Sequence, residues 1–432
     1  MSDKPVSIAL FGPGTVGTEV ARLLTDNAAD LASRVGAPVE LAGIYVRDVT
    51  VPRPQVLDRD LLTTDAHGLI ERSDVVVELM GGIEPAKSFV LEAIGAGCSV
   101  VTANKALLAA HGPELYEAAD ANHVDLYFEA AVAGAIPIIR PLRESLAGDH
   151  VVRILGIVNG TTNYMLDEMT ERGLDYDVAL KQAQDLGYAE ADPSADVDGH
   201  DAAAKAAILA SLAFHQRIHL ADVHCEGIAS ITADDVAAAK ESGHVIKLLA
   251  IAERVGEGDD AGVSVRVHPA LVPLGHPLAG VHGAFNAVFV EAEAAGELMF
   301  YGQGAGGTPT ASAVLGDVVS VARHRAQAGR GPRESNYADL PVLALESAAS
   351  RFQLRMTVPD RPGVLANIAG VLAEHSISIE TVRQSAASGA GQATLIIATH
   401  SASERELARV LDVLRSSAAV TDIRSVLRIE GD

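Results

Sequence analysis

The sequence predicts an α/β chain in three parts, and three observations predict it. A short apolar run, Val6–Phe11, ends in Gly12-Pro-Gly-Thr-Val-Gly17 and leads into a helical pattern. Strand-like and helix-like runs then alternate, the order of a doubly wound parallel sheet. Residues 351–432 carry six elements in the order βαββαβ, which is ferredoxin-like. The expected division is 1–137, with 307–325 returning to it, as a Rossmann-like dinucleotide-binding domain. An inserted mixed α/β domain follows at 138–306, a linker at 326–350 and the ferredoxin-like domain at 351–432.

Length and composition bound the reading. A chain of 432 residues holds two or three domains with a sizeable core. The formal charge of -24, from 33 basic and 57 acidic residues, argues against nucleic acid and membrane surfaces as partners. No apolar run is long enough to span a bilayer, and Met1 to Pro5 lacks a signal-peptide core, so a cytoplasmic protein is expected. The two cysteines, Cys98 and Cys225, are too few for a disulfide framework or a structural zinc site. Fifteen histidines show no metal-ligand spacing.

In chain order, the first turn is GxGxxG in the required setting, after a strand and opening a helix marked by Val16, Val20, Leu23 and Leu24. Gly12 permits the tight turn, Gly14 lets a pyrophosphate approach the backbone and Gly17 allows close helix–strand contact. Phe11, Gly12, Gly14, Thr15, Val16 and Gly17 are therefore candidate cofactor contacts. The second strand, residues 39–46, ends in Arg47 where an acid would hold a free ribose. A guanidinium there suits the 2′-phosphate of NADP, with Arg53 assisting. Asp48 holding the ribose of NAD is the alternative. Further strands at 74–80, 99–105 and 125–129 place Thr102, Asn104 and Lys105 at the crevice edge of the sheet.

From about Ile138 the pattern changes. A strand at 151–158 precedes Asn159-Gly-Thr-Thr-Asn163, and helices alternate with loops as far as 244–252. Strand-like runs return at 263–267, 287–290 and 297–301. Within this block Glu190, Asp192, Asp196, Asp198 and Asp201 crowd a loop before a helix-forming run from Ala202. Asp198 is expected to cap that helix, and Asp201 and Lys205, four apart, share one face. Such a cluster suits a cationic or zwitterionic substrate, the acids holding an ammonium and the lysine exchanging a proton. A solvated acidic turn with an ordinary surface ion pair is the bland alternative. Tyr301-Gly-Gln-Gly-Ala-Gly-Gly-Thr-Pro-Thr310 is a second glycine-rich turn, facing a phosphate or nicotinamide or allowing close helix packing. The C-terminal unit carries no catalytic constellation and is expected to be regulatory and to fold independently.

Taken together these motifs resemble homoserine dehydrogenase with a C-terminal ACT domain, over essentially the whole chain. The resemblance rests on Gly12 to Gly17, Thr102-Ala-Asn-Lys105, Asn159 to Asn163, Gly187-Tyr-Ala-Glu190, Asp196-Val-Asp-Gly-His-Asp201, Lys205 and Tyr301 to Thr308. It implies reversible, NAD(P)-dependent reduction of L-aspartate 4-semialdehyde to L-homoserine, in threonine, methionine and isoleucine biosynthesis. It also implies Lys205, Lys105 and Asp201 as catalytic groups, with Lys105, Arg47, Thr102 and Gly302 added to the cofactor contacts. Gly187, Glu190, Asp196 and Asp201 are implied for substrate, and Glu129, Val132, Gly134 and Ile136 for a sodium or potassium ion. The middle domain is implied to bind substrate and to dimerise. A homodimer or homotetramer and an amino-acid effector, L-threonine, are implied as well. Two rivals need different chemistry. A semialdehyde dehydrogenase requires a nucleophilic cysteine, and a non-enzymatic ACT-type sensor leaves Glu190 to Lys205 without a task.

Overall fold

The computed structural model describes residues 4–256, 261–386 and 391–431, so the first three residues of the Met1 to Pro5 segment lie outside it. The chain packs as two compact units. One comprises Met1–Gly160, Asp201–Val223 and Ala284–Asp339, the other Thr161–His200, His224–Gly283 and Leu340–Asp432.

The first unit is built on a six-stranded parallel sheet. Its order is Leu62–Thr63, Val39–Tyr45, Val6–Phe11, Val75–Glu78, Ser99–Thr102, Leu126–Tyr127. This is the doubly wound dinucleotide-binding order, with the strand reversal beside Val6–Phe11. Val75–Glu78 and Ser99–Thr102 are buried at every position, because helices cover both faces of a parallel sheet. The helix Gly307–Ala326, distant in sequence, lays Ala311, Val314, Val318 and Val321 into one core with Ile8, Leu10, Val20 and Leu24. The same unit holds an antiparallel trio, Val151–Ile157, Phe285–Ala292 and Gly296–Gln303. All but the first residue of the helix His200–Ala213 also belongs to it. That helix is alanine-rich and buried from Asp201 to Ala210, so its small side chains let neighbours approach from every side.

In the second unit His244–Val255 pairs antiparallel with Gly262–Pro273. The run 244–252, placed at the end of a helical stretch from sequence, is therefore a strand; it is apolar on both sides of Lys247 and so has no clear period to distinguish the two. The ferredoxin-like unit has strand order Asp422–Ile429, Ala349–Pro359, Gln392–Thr399, Ile379–Ala386, with helices Val364–Glu374 and Glu404–Ser416. Within the second unit it also pairs with a strand outside its own four. Asp422–Ile429 runs parallel to Gly262–Pro273, and the Glu430 amide donates to the Leu271 carbonyl at 3.0 Å. Arg266, 1% exposed, bonds Glu253 at 2.5 Å and Glu430 at 3.2 Å. Arg428 forks onto Glu226 at 2.9 and 3.1 Å. These partners lie far apart in sequence, so local patterning cannot reveal them.

Candidate active site

The first strand ends at Phe11, and Gly12 turns the chain with φ +95°. A Cβ on Gly12 would lie 2.8 Å from the Leu79 backbone, and one on Gly17 would lie 2.2 Å from the Gly12 carbonyl oxygen. Gly14 is different: a Cβ there meets nothing within 4 Å, so the space above it is open. Gly14 also precedes the helix Thr15–Asp26 with no side-chain cap. No described hydrogen bond uses the amides of Thr15, Val16 or Gly17. Free amides at a helix start beside open space form an anion site.

Arg47 follows the second strand, is exposed, and has no ion-pair partner among the described residues. The Asp48 carboxylate is already engaged, accepting from the Thr50 amide at 2.8 Å and its hydroxyl at 2.7 Å. Both bonds end on Oδ1, so Arg47 and the second oxygen of Asp48 are both open to a ligand. Thr102 is completely buried and donates its hydroxyl to Glu78 at 2.6 Å, so its side chain supports the crevice from within. Gly302 lies on the strand Gly296–Gln303, where a Cβ would press the Ile136 side chain at 3.3 Å. In the second glycine-rich turn, a Cβ on Gly307 would meet Thr15 at 3.1 Å, and Thr308 bonds Glu19 at 2.7 Å. Close packing onto the first helix accounts for that glycine.

The chemistry gathers at Asp201. Its Oδ2 accepts from Lys205 Nζ at 2.7 Å and from Asn159 Nδ2 at 2.9 Å, and its Oδ1 accepts from Lys105 Nζ. Lys205 Nζ also donates to the Val158 carbonyl at 2.6 Å. Burial would push the Asp201 carboxyl up, but Lys205, Lys105 and their hydrogen bonds outweigh it and hold the group well below the usual carboxylate range. Lys105 is the first residue of the helix Lys105–Ala121 rather than the end of a strand, and Asn104 caps that helix by accepting from the Leu107 amide at 3.1 Å. Its side chain is 44% exposed against 10% for Lys205, so one ammonium faces outward and the other is enclosed. Asn159 had a motif but no assigned task; its contact with Asp201 supplies one.

The other acids have separate employments. Asp192 closes a local turn onto Ser194, and Asp198 ends the short helix Ser194–Val197 instead of opening the next one. Gly199, at φ +84°, separates the two helices and removes Asp198 from the capping position. In the second unit Asp196 accepts from Thr161 at 3.1 Å, and the same hydroxyl donates to the Tyr188 carbonyl at 2.7 Å. Gly187 turns at φ +75°, and Glu190 is exposed with no ion-pair partner among the described residues.

Glu129 opens a tight 3-10 turn, and its carboxylate accepts from the amides of Ile138, Ile139 and Arg140 at 2.6, 2.7 and 3.0 Å. Ala133 and Gly134 follow in the left-handed region, and a Cβ on Gly134 would strike the Gly304 carbonyl at 2.3 Å. Val132, Gly134 and Ile136 are buried, and no described hydrogen bond ends on their carbonyl oxygens. Buried carbonyls without donors are a donor set fit for a hard cation. Among the described residues no cluster of His, Cys, Asp and Glu could hold a metal. Neither cysteine is activated: burial pushes Cys98 up to about 11 and also raises Cys225.

A family model for homoserine dehydrogenase matches residues 137–319, one for its NAD binding domain matches 12–129, and one for the ACT domain matches 352–419. The homoserine dehydrogenase of Corynebacterium glutamicum is 57% identical over 431 residues, covering 99% of this chain and 96% of that one. The solved structure of a homoserine dehydrogenase from Thiobacillus denitrificans is 40% identical, with a TM-score of 0.92 over 99% of each chain. A hyperthermophilic archaeal homoserine dehydrogenase solved in complex with NADPH is 27% identical, with a TM-score of 0.62 over 77% of this chain and 100% of that one.

Proposed function

The chain belongs to the homoserine dehydrogenase family of oxidoreductases, and from that premise we propose reversible, NADP-preferring reduction of L-aspartate 4-semialdehyde to L-homoserine. The observation that carries the reading is the Asp201 carboxylate bridging Lys105 and Lys205. The reaction supplies threonine, methionine and isoleucine biosynthesis.

A nicotinamide held there would supply hydride to the aldehyde carbon in the reducing direction. Negative charge then develops on the aldehyde oxygen, which calls for a proton and a cation. Lys205 gives the proton, its amine oriented by Asp201 and by the Val158 carbonyl. Lys105 stabilises the oxyanion, and Asp201 holds both lysines and orients substrate. Glu190 binds the substrate ammonium, with Gly187 and Asp196 shaping that subsite. The turn from Phe11 to Gly17 would hold the pyrophosphate, Arg47 the 2′-phosphate, and Thr102, Lys105 and Gly302 would border the nicotinamide. Arg47 supports NADP over NAD because it is exposed just past the end of the second strand, with no ion-pair partner among the described residues.

The carbonyls of Val132, Gly134 and Ile136, with Glu129, would hold a sodium or potassium ion, bracing the loop at Gly304. In functional terms 1–137 with 307–325 serves the cofactor, 138–306 the substrate and dimerisation, and 351–432, after the linker 326–350, an effector. L-threonine is the effector proposed, acting by feedback. A homodimer or homotetramer in the cytoplasm is the proposed assembly; no described helix is long and apolar enough to cross a membrane. An absorbance assay of L-homoserine oxidation with NADP and with NAD tests the function. Turnover faster with NADP and slowed by threonine is expected. No turnover with either cofactor would overturn the proposal.

A further inference from the structure

Glu78 ends the strand Val75–Glu78 at the crevice edge of the parallel sheet, and it is completely buried. Among the described residues it has no ion-pair partner, so its carboxylate is satisfied by neutral donors alone. Its Oε1 accepts from the Met80 amide at 2.8 Å and its Oε2 from the Thr102 hydroxyl at 2.6 Å. Thr102 in turn accepts from the Asn104 amide at 3.0 Å, and Asn104 Nδ2 donates to the Gly82 carbonyl at 2.7 Å. With the backbone from Met80 to Gly82 these bonds close a ring.

Each side of the ring supports one half of the site. On one side the Leu79 amide donates to the Phe11 carbonyl at 2.8 Å, and the Leu79–Met80 backbone lies where a Cβ on Gly12 would fall. On the other, Asn104 caps the helix whose first residue is Lys105. A buried carboxylate without a cation is costly. An acceptor-only group is nevertheless what the ring demands, since two donors point at it. An amide in its place would face either the Met80 N–H with its own N–H, or force the Thr102 hydroxyl to reverse and lose its buried acceptor.

We propose that Glu78 is a positioning residue for the dehydrogenase reaction, fixing the dinucleotide turn at Gly12 and the start of the Lys105 helix through one closed hydrogen-bond ring. The inference rests on the reading of Gly12 to Gly17 as the cofactor turn and of Lys105 as a catalytic group.

The test compares full-length wild type, Glu78→Gln, Thr102→Val and the double variant. NADPH affinity is measured by fluorescence titration, together with kcat and KM for L-homoserine and the molar number of NADPH sites. Each single change should weaken NADPH binding roughly tenfold, the worth of one buried hydrogen bond left unmade. Each should also lower kcat at saturation while leaving KM for L-homoserine largely unchanged. The double variant should resemble either single one, because both break the same ring. If Glu78→Gln fails to fold, Glu78→Asp, which keeps the charge but shortens its reach to the Met80 amide and the Thr102 hydroxyl, decides in its place. Unchanged NADPH affinity and kcat in a folded variant would overturn the proposal. So would strict additivity, or fewer binding sites with wild-type affinity and kcat per site, which marks a purely structural role. Failure of the wild type to bind NADPH or oxidise L-homoserine would instead refute the underlying functional reading, and this inference with it.

Discussion

Asp201 Oδ2 and Lys205 Nζ meet at 2.7 Å across one turn of the same helix, while the other oxygen of Asp201 holds Lys105. One buried carboxylate therefore compensates two ammonium groups, which is why its carboxyl is held well below the usual range despite burial. Asp201→Asn should cut kcat by roughly a hundredfold or more, since both lysines lose their anchor. It should also cost about 3–5 kcal/mol of stability, the usual result of leaving a buried cation unpaired. A depressed carboxyl contributes stability above its ordinary range and loses it as pH falls through the folded value. The stability gap between wild type and variant, followed by denaturant unfolding, should therefore narrow below about pH 4.

Cofactor choice is read from Arg47. If it pairs with the 2′-phosphate, Arg47→Ala should weaken NADP by about one to two powers of ten while leaving NAD nearly unaffected. Steady-state kinetics with both cofactors check this. Equal losses would transfer the role to Asp48 acting on the ribose.

Removal of residues 350–432 tests how the C-terminal unit is joined. Arg266 is buried and would lose Glu430, and the strand Gly262–Pro273 would lose its parallel neighbour. An exposed strand edge beside an under-compensated buried guanidinium favours aggregation. The truncated chain should be poorly soluble or markedly less stable than full-length protein, as read by expression yield and thermal melting. A monodisperse, fully active truncation would show that the joint is dispensable.

Lys247 offers a pH test in the second unit. It is 2% exposed and donates to the Val281 carbonyl at 2.6 Å and to Asn163 at 3.1 Å. Burial lowers its pKa to about 8, with Asp167 and Glu171 opposing the shift. The unfolded chain keeps its proton to higher pH, so between about 8 and 10.5 the folded state gains stability as pH rises. Against Lys247→Met, wild type should gain about 2–3 kcal/mol from pH 7 to pH 10. A constant difference across that range would mean that Lys247 stays charged.

Features set by local geometry were legible in the sequence. Gly12 and Gly17 announce themselves because no larger residue fits the turn, and the spacing of Asp201 and Lys205 puts them on one helix face. Contacts between distant segments were not. Lys105 reaches an acid 96 residues away, and Asn159 one 42 residues away; neither pairing leaves a local trace. The cap expected from Asp198 failed because Gly199 breaks the helix just after it, a conformational choice that residue type alone does not decide. The joining of Asp422–Ile429 to Gly262–Pro273 depends on strand pairing across the chain, beyond the reach of periodicity.

The central claim is that Lys205 transfers the proton, and Lys205→Met tests it most directly. Methionine preserves the length and volume of the buried stem while removing the amine that bonds Asp201 and Val158. The variant should bind NADPH with near wild-type affinity, because the glycine turn is untouched. Its kcat for L-homoserine oxidation, measured at saturating substrate and NADP, should fall by roughly a hundredfold or more. Turnover within about threefold of wild type, too small a loss for a positioned acid–base, would contradict the account and move the proton transfer to another group.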